Sequence, residues 1–392
     1  MSHFDSIIIG AGAAGLYCAL HAGRRGKSVL VLEHNAEPGA KILISGGGRC
    51  NFTNLDAGDH TRYLSANPNF ARSALSRHGP AEFIKLIEQH GVAYYEKTLG
   101  QLFCEGARAS QKIVRLLLDE CEAGGVMLRT NARVESVTRG ETFQVGTSLG
   151  PFTSDTVVVA AGGLSIPKLG ATSLAYDIAK AFDIPLVEPR PGLVPLTFAP
   201  ADMAWMGALS GVSTPITASL GKARFREAAL FTHRGLSGPA ILQISSYWRE
   251  GEAIEIDFLP DAREDVLAER KRERPKALLK TALAEILPDR LASVLAERLP
   301  QSALGDLKDQ ALIDAARALK ATRITPNGTE GYAKAEVTVG GVDTNALSQQ
   351  SMEARAVPGL FFIGECVDVT GWLGGYNFQW AWSSGWACAQ AL

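Results

Sequence analysis

The apolar positions of this chain fall into short continuous runs near its start. Residues 6–9 form one such run and read as a buried parallel strand. A Gly-rich turn follows at once, and residues 13–24 continue as an apolar helix. Residues 28–32 are a second apolar strand, closed by Glu33. Strand, turn, helix and strand together predict a βαβ opening. Further on, residues 72–90 predict helical material, with Pro80 starting a new helix. In residues 110–123, Ile113, Leu116, Leu117 and Cys121 share one face, which predicts an amphipathic helix. Residues 126–129, 133–137 and 143–147 read as strands. Residues 156–160 read as another buried strand, ending in Ala161-Gly162-Gly163.

The pattern changes after Pro185. Pro185, Pro189, Pro191 and Pro195 lie close together, which predicts a domain crossing. Residues 196–231 read as β-hairpin material. Residues 262–320, rich in Ala, Leu, Glu, Lys and Arg, read as several helices. Their basic run, Lys271-Arg272-Glu273-Arg274-Pro275-Lys276, reads as a solvated helix face interrupted by Pro275 rather than as a nucleic-acid patch. Strand material returns at 335–339 and 360–363, and residues 377–392 form a last helix. The order predicts an α/β domain built from both chain ends, with a β-plus-helical insertion between them.

Composition narrows the class. A chain of 392 residues suggests about two to three domains. Hydrophobic residues at 46% and charged residues at 20% indicate a globular protein. Lys+Arg at 39 and Asp+Glu at 41 give a net charge of -2, which argues against a global attraction to nucleic acid or membrane. Gly is in excess, at 40, without a Gly-X-Y period, so it marks tight turns or close approaches of backbone to a ligand. The six Cys form no CxxC pair, which reads as reduced thiols in a cytoplasmic protein. The apolar stretch 7–20 is not read as a signal peptide, because Asp5 precedes it and glycines interrupt it. No run of about 20 apolar residues predicts a membrane span, and no Cys, His or carboxylate spacing predicts a metal site.

Three motifs carry chemistry. The first is Gly10-Ala11-Gly12-Ala13-Ala14-Gly15, between the opening strand and helix, with Glu33 ending the second strand. There Gly10 permits the turn, Gly12 lets a pyrophosphate approach the helix N-terminus, and Gly15 lets helix and strand pack closely. Glu33 can accept hydrogen bonds from ribose hydroxyls. NAD and FAD both satisfy such a site. The second motif favours FAD. The apolar strand near 360–363 ends in Gly364-Glu365, with Asp368 three residues on. Carboxylates delivered by a buried strand suit a polyol chain such as ribityl. Gly374-Gly375-Tyr376-Asn377 then leads into the last helix, whose free N–H groups would stabilise an anionic reduced flavin. The third motif runs from Lys41 to Ser45-Gly46-Gly47-Gly48-Arg49-Cys50-Asn51 and reads as backbone laid against a flat ligand.

Segments 41–54, 98–104 and 359–385 resemble the YhiN/BaiN-type flavoproteins, also described as aminoacetone-oxidase-like NAD(P)/FAD-dependent oxidoreductases. The resemblance runs over nearly the whole chain and is weakest over the helical insertion. It implies a glutathione-reductase-type, Rossmann-like FAD-binding domain from residues 1–190 and 345–392. An inserted β-rich domain would take 191–261 and 323–344, and a small helical domain 262–322. The implied FAD contacts are Gly10, Ala11, Gly12, Ala13, Ala14, Gly15, Glu33, Lys41, Ser45, Gly46, Gly47, Gly48, Arg49, Cys50, Asn51, Val134, Ala161, Gly162, Gly163, Gly364, Glu365, Gly374, Gly375, Tyr376, Asn377, Phe378 and Gln379. Val134 would meet the adenine through its backbone. One departure stands at Ala175, where the family usually has Gly before Tyr176, and it weakens the case for close backbone contact there.

Four side chains are candidate catalytic groups. His233, in the stretch 231–239, can act as a general acid near neutral pH, or be a turn histidine. Tyr376 and Asn377 stand where a substrate would be oriented. Cys50 is a redox candidate if Arg49 beside it lowers its pKa, with packing as the competing role. Ser237 before Pro239 predicts a helix cap. Trp382 and Trp386, at i and i+4, predict packing on one helix face rather than an aromatic cage. A second GxGxxG unit is missing, so NAD(P)H, if it is the donor, would dock transiently at an open flavin face. The main reading is an FAD-dependent oxidoreductase moving a hydride between a small organic substrate or NAD(P)H and flavin N5. An enone reductase and an amine or aminoketone oxidase both fit it. The alternatives are a non-catalytic FAD-binding or sensor protein and a tRNA-modifying flavoprotein, which the net charge disfavours. Neither a nucleic-acid nor a membrane partner is expected, and the oligomeric state is left open.

Overall fold

The computed structural model describes residues 2–106 and 108–392. Two compact units emerge, one of residues 1–190 and 337–392, the other of residues 191–336. In the first unit, His3–Ile9 lies between Val29–Leu32 and Gly150–Val159, parallel to both. Met127–Arg129 extends the sheet on one side, and Leu360–Phe362 joins parallel to the end of Gly150–Val159. The first half of Gly150–Val159 instead pairs antiparallel with Phe143–Thr147, which pairs with Val134–Arg139. A parallel sheet covered on both faces needs uninterrupted apolar strands, and Ile7, Ile8, Leu30, Val31, Val157 and Val158 are fully buried. Because the parallel strands share one direction, Ile9, Leu32, Val159 and Phe362 all end at the same edge. Gly10, Glu33, Ala160 and the Gly364-Glu365 pair therefore emerge together, at the place where open α/β sheets bind ligands.

The last helix, Tyr376–Ala389, packs on the first, Ala13–Arg24. A Cβ at Gly385 would stand 2.8 Å from the Ala14 carbonyl oxygen. Trp382 stacks on Phe83 with ring centroids 4.1 Å apart, and its Nε1 donates to Phe52 O at 2.8 Å. Trp386 stacks on His78 at 5.0 Å. The i, i+4 tryptophans thus pack within the fold, as their spacing predicts.

The second unit carries a seven-stranded antiparallel sheet centred on Ser213–Leu220 and Ala223–Thr232. Helices Val266–Glu273, Leu279–Ala284, Asp289–Ala296 and Asp309–Lys320 belong to the same unit. Two local expectations change. Pro200–Met206 is a helix inside the region read as hairpin, because Pro200 suits a first turn. Ser237 belongs to a strand, and Gly238 at φ 90 precedes helix Pro239–Ser245, so no Ser cap forms. The basic run is paired in part, at Lys271 and Arg274. Lys271 pairs with Asp309 at 2.8 Å, and Arg270 and Arg274 both pair with Glu285. Among the described residues no helix is long and apolar enough to cross a membrane.

Beneath the first helix, Tyr17, His21 and His78 form a buried aromatic cluster. Tyr17 Oη and His78 Nε2 are 2.7 Å apart, while His21 Nε2 has no hydrogen-bond partner among the described residues. Burial pushes the pKa of His21 down to about 4, with Arg24 adding to the effect, and that of His78 down to about 3, with His21 adding to it. Both therefore stay neutral in the folded chain, whereas each unfolded histidine takes up a proton near 6.5. Their contribution to stability is complete above that value and is lost as pH falls toward the folded pKa values, by at most about 1.4 kcal/mol per pH unit per group. The melting temperature of wild type should fall between about pH 7 and pH 5. His21→Phe should flatten that dependence without lowering stability at neutral pH, which thermal melts at the two pH values would check.

Candidate active site

The N-terminus of the first helix is built to receive an anion. Gly12 precedes the helix, no side chain caps it, and its first turn holds no acidic residue. Its first N–H groups are therefore left for a ligand. A Cβ at Gly15 would stand 1.9 Å from Gly10 O, so this position tolerates only glycine. A Cβ at Gly12 would meet nothing within 4 Å, so that side of the turn is open. Beside it, Glu33 Oε2 accepts from Ala11 N at 2.9 Å and Oε1 from Asn35 N at 2.8 Å. Oε1 also lies 3.2 Å from His34 Nδ1, so Oε2 is the oxygen that keeps a free lone pair. Ala132 N donates to Glu33 O at 2.8 Å, which brings the start of strand Val134–Arg139 alongside.

Glu365 is the electrostatic centre of the opposite half. Lys41 Nζ lies 2.5 Å from Glu365 Oε2 and donates to Ser165 Oγ at 2.6 Å. Ser165 Oγ donates to Glu365 Oε1 at 2.6 Å, and Thr338 N donates to the same oxygen at 3.0 Å. Burial alone would raise this carboxyl's pKa. The Lys41 charge and the hydrogen bonds from Lys41, Ser165 and Thr338 outweigh burial and hold it below the usual glutamate range. A buried carboxylate kept ionised is a strong acceptor for ribityl hydroxyls. Ser165 and Thr338 carry no motif in the sequence. Ser165 stands two residues beyond the Ala161-Gly162-Gly163 strand end, which is its only signal.

The segment Ala40–Gly48 starts as a helix and breaks at Ser45. Gly46, Gly47 and Gly48 have φ of 56, 68 and 84, a left-handed run that suits glycine. Asn51, with its amide nitrogen toward Leu102 O, accepts from Gly375 N at 3.2 Å and so ties this loop to the start of the last helix. That helix, like the first, has no side-chain cap and no acidic residue in its first turn.

Several expected ligands turn inward instead. Asp368 is buried, accepts from Ala66 N at 2.8 Å and so holds the 65–66 backbone. Asn377 clasps Gly371 through N and O at 2.9 Å each. Gln379 is fully buried between Thr53 and Ser383, and Phe378 stacks on Trp382 at 5.7 Å. The Cys50 thiol is fully buried, and burial pushes its pKa up, the reverse of what a redox nucleophile needs. All six cysteines are free and buried. His233 lies exposed at a hairpin turn of the second unit. Tyr376 is buried and its hydroxyl accepts from Arg62 Nη1 at 2.5 Å. Arg62, which no motif marked, also pairs with Asp56 at 2.9 Å and lies 5.5 Å from the centre of the Trp372 ring. Among the described residues no cluster suited to a metal ion occurs.

Residues 4–391 match the model of the HI0933-like protein Rossmann domain. The chain is 52% identical over 401 residues to the ribosomal RNA dihydrouridine synthase of Escherichia coli K12, covering 100% of this chain and 98% of that protein. It is 46% identical to the Haemophilus influenzae protein of the same name, covering 99% and 98%. The 3-dehydro-bile acid delta(4,6)-reductase of Clostridium scindens is 31% identical, covering 98% of each. In fold the chain resembles the 3-ketosteroid-delta4-(5alpha)-dehydrogenase of Rhodococcus jostii, with a TM-score of 0.51, 13% identity, and 99% and 97% of the chains covered. The chain is an FAD-dependent oxidoreductase with a Rossmann-like α/β fold.

The two relatives named for ribosomal RNA overturn the small-organic-substrate reading and the expectation of no nucleic-acid partner. The net charge of -2 misled because a sum over the chain carries no information on where the charges lie.

The two glycines of the turn make separable tests. Gly15→Ala should prevent folding or lower the melting temperature strongly, because its Cβ would meet backbone. Gly12→Ala should fold as wild type yet lose bound FAD, read from the flavin-to-protein absorbance ratio.

Proposed function

The chain belongs to the HI0933-like family, and on that footing we propose that it reduces uracil in ribosomal RNA to 5,6-dihydrouracil. The observation that carries this reading is its end-to-end likeness to the ribosomal RNA dihydrouridine synthase. The chemistry agrees with that of the bile-acid relative. The 5,6 double bond of uracil is conjugated to the 4-carbonyl, as the delta-4 bond of a 3-dehydro bile acid is to its 3-carbonyl. Reduction adds a hydride to the carbon β to the carbonyl and a proton to the α carbon. Bound FAD supplies the hydride chemistry, and NAD(P)H is proposed as the source of the two electrons. The reaction would take place in the cytoplasm, where ribosomal RNA resides.

The residues divide the work of holding FAD. The open turn at Gly12 and the uncapped first helix would hold the pyrophosphate, and Glu33 the adenosine ribose. Glu365, kept ionised by Lys41, Ser165 and Thr338, would take ribityl hydroxyls. The uncapped N-terminus of Tyr376–Ala389 would favour negative charge on a flavin ring held there. On the substrate side we assign Arg62. Tyr376, Asp56 and the Trp372 ring fix its guanidinium in place, and a fixed cation can polarise the base carbonyl as charge develops on it.

The decisive experiment reduces the FAD-loaded protein, mixes it anaerobically with unmodified transcribed ribosomal RNA, and measures dihydrouridine by nucleoside mass spectrometry. Failure to form dihydrouridine would sink the reading. Arg62→Gln should retain FAD and lower the single-turnover rate by about 100-fold.

A further inference from the structure

A second feature lies at the rim of this site. The hairpin strands Tyr94–Glu96 and Gln101–Cys104 are joined by a tip that carries Leu99. Leu99 is 62% exposed, and Leu55 is 52% exposed. They are neighbours, since Leu55 N donates to Gly100 O at 2.9 Å. Leu99 also has φ 50, a left-handed conformation that is costly for a branched apolar side chain. The tip is not loose. Asn54 Nδ2 donates both to Leu99 O at 2.9 Å and to Gly374 O at 3.0 Å. One amide therefore ties the exposed leucine to the loop that starts the last helix, at the mouth of the FAD site.

Next to the apolar pair stand two exposed cations. Lys97 Nζ lies 5.4 Å and Arg49 Cζ 5.9 Å from the centre of the same Phe103 ring. Arg49 Nη1 donates to Tyr95 Oη at 3.3 Å, and among the described residues neither cation forms an ion pair, unlike Lys271 and Arg274 of the second unit. Two like charges against one ring without a carboxylate make a place for an anion to be gained on binding.

Resting on the reading of the site given above, we propose that this rim is the surface that engages folded RNA around the target uridine. Lys97 and Arg49 hold the phosphate backbone. Leu99, backed by Leu55, fills the stack position that the uridine leaves when it turns out to reach the flavin. A base inside a helix cannot present its 5,6 bond to a cofactor held in a protein, so it must leave the stack. Apolar side chains are the usual wedges between bases, and a rigid tip is a better wedge than a mobile one. The leucine pair, its backbone tie to Gly374 and the free cations are all accounted for by one RNA strand.

The test compares two substrates with each FAD-loaded protein after chemical reduction. One is transcribed ribosomal RNA folded with magnesium. The other is the same RNA digested to short, unstructured oligonucleotides. Leu99→Asn removes the apolar wedge while suiting the left-handed backbone, so the fold is retained. FAD content and melting temperature check this. Leu99→Asn should slow dihydrouridine formation in folded RNA by about tenfold or more and change the rate on oligonucleotides by less than about twofold. Lys97→Gln should weaken binding of folded RNA and lower the slope of log affinity against log salt by about one. Equal rates of Leu99→Asn and wild type on folded RNA would overturn the wedge while leaving the proposed reaction intact. An unchanged salt slope in Lys97→Gln would overturn the phosphate contact. Wild type that forms no dihydrouridine from either substrate would overturn the proposed reaction and this surface with it.

Discussion

The rest of the first unit depends on how closely the first helix is approached by its neighbours. A Cβ at Gly15 would overlap Gly10 O, one at Gly385 would stand 2.8 Å from Ala14 O, and one at Gly364 would be 2.8 Å from Ala14 Cβ. These glycines come from the two ends of the chain. Their missing side chains let the turn after the first strand, the end of Leu360–Phe362 and the last helix meet around Ala14. This contact turns two distant segments into one site. Dispersion and apolar burial then hold the arrangement, with Trp380 and Trp382 fully buried around it.

Charge in that site is arranged with the same economy of parts. Two helix N-termini, neither capped nor opposed by an acidic residue, point their dipoles at the binding region. The Glu365 carboxylate is stabilised by Lys41, the Ser165 hydroxyl and the Thr338 N–H rather than left to protonate. In the proposed arrangement, a cofactor with a negative pyrophosphate, a polyol chain and a ring that turns anionic on reduction would meet a suitable partner at each point. The cysteines lie outside this logic. Burial keeps Cys104, Cys121 and Cys366 as thiols, with pKa values pushed up to about 12, and outweighs the charges of Lys112 near Cys104 and Arg24 near Cys121. Redox work therefore falls to the flavin and not to sulfur.

The sequence by itself determined the βαβ opening, the strand that leads into Gly364-Glu365 and the boundaries of helix Ala13–Arg24. These are local matters, because periodicity decides which face is buried and a glycine's missing Cβ decides where backbone can approach. Residue type also marked Glu33 and Glu365, which the fold brings to the same sheet edge. Direction did not follow from type. Asp368, Asn377 and Gln379 stand in the right motif, yet their side chains satisfy buried backbone and hydroxyl groups. Ser165 and Thr338 lie 200 and 27 residues from Glu365, and only the folding of the sheet edge brings them to it. Arg62 and Leu99 likewise gain their meaning from neighbours far along the chain. Whether a polar group reaches a ligand or the protein's own backbone is settled by which unpaired partner the tertiary fold leaves nearest. Composition cannot contain that information, and for the same reason a net charge of -2 could not speak for any one patch of the surface.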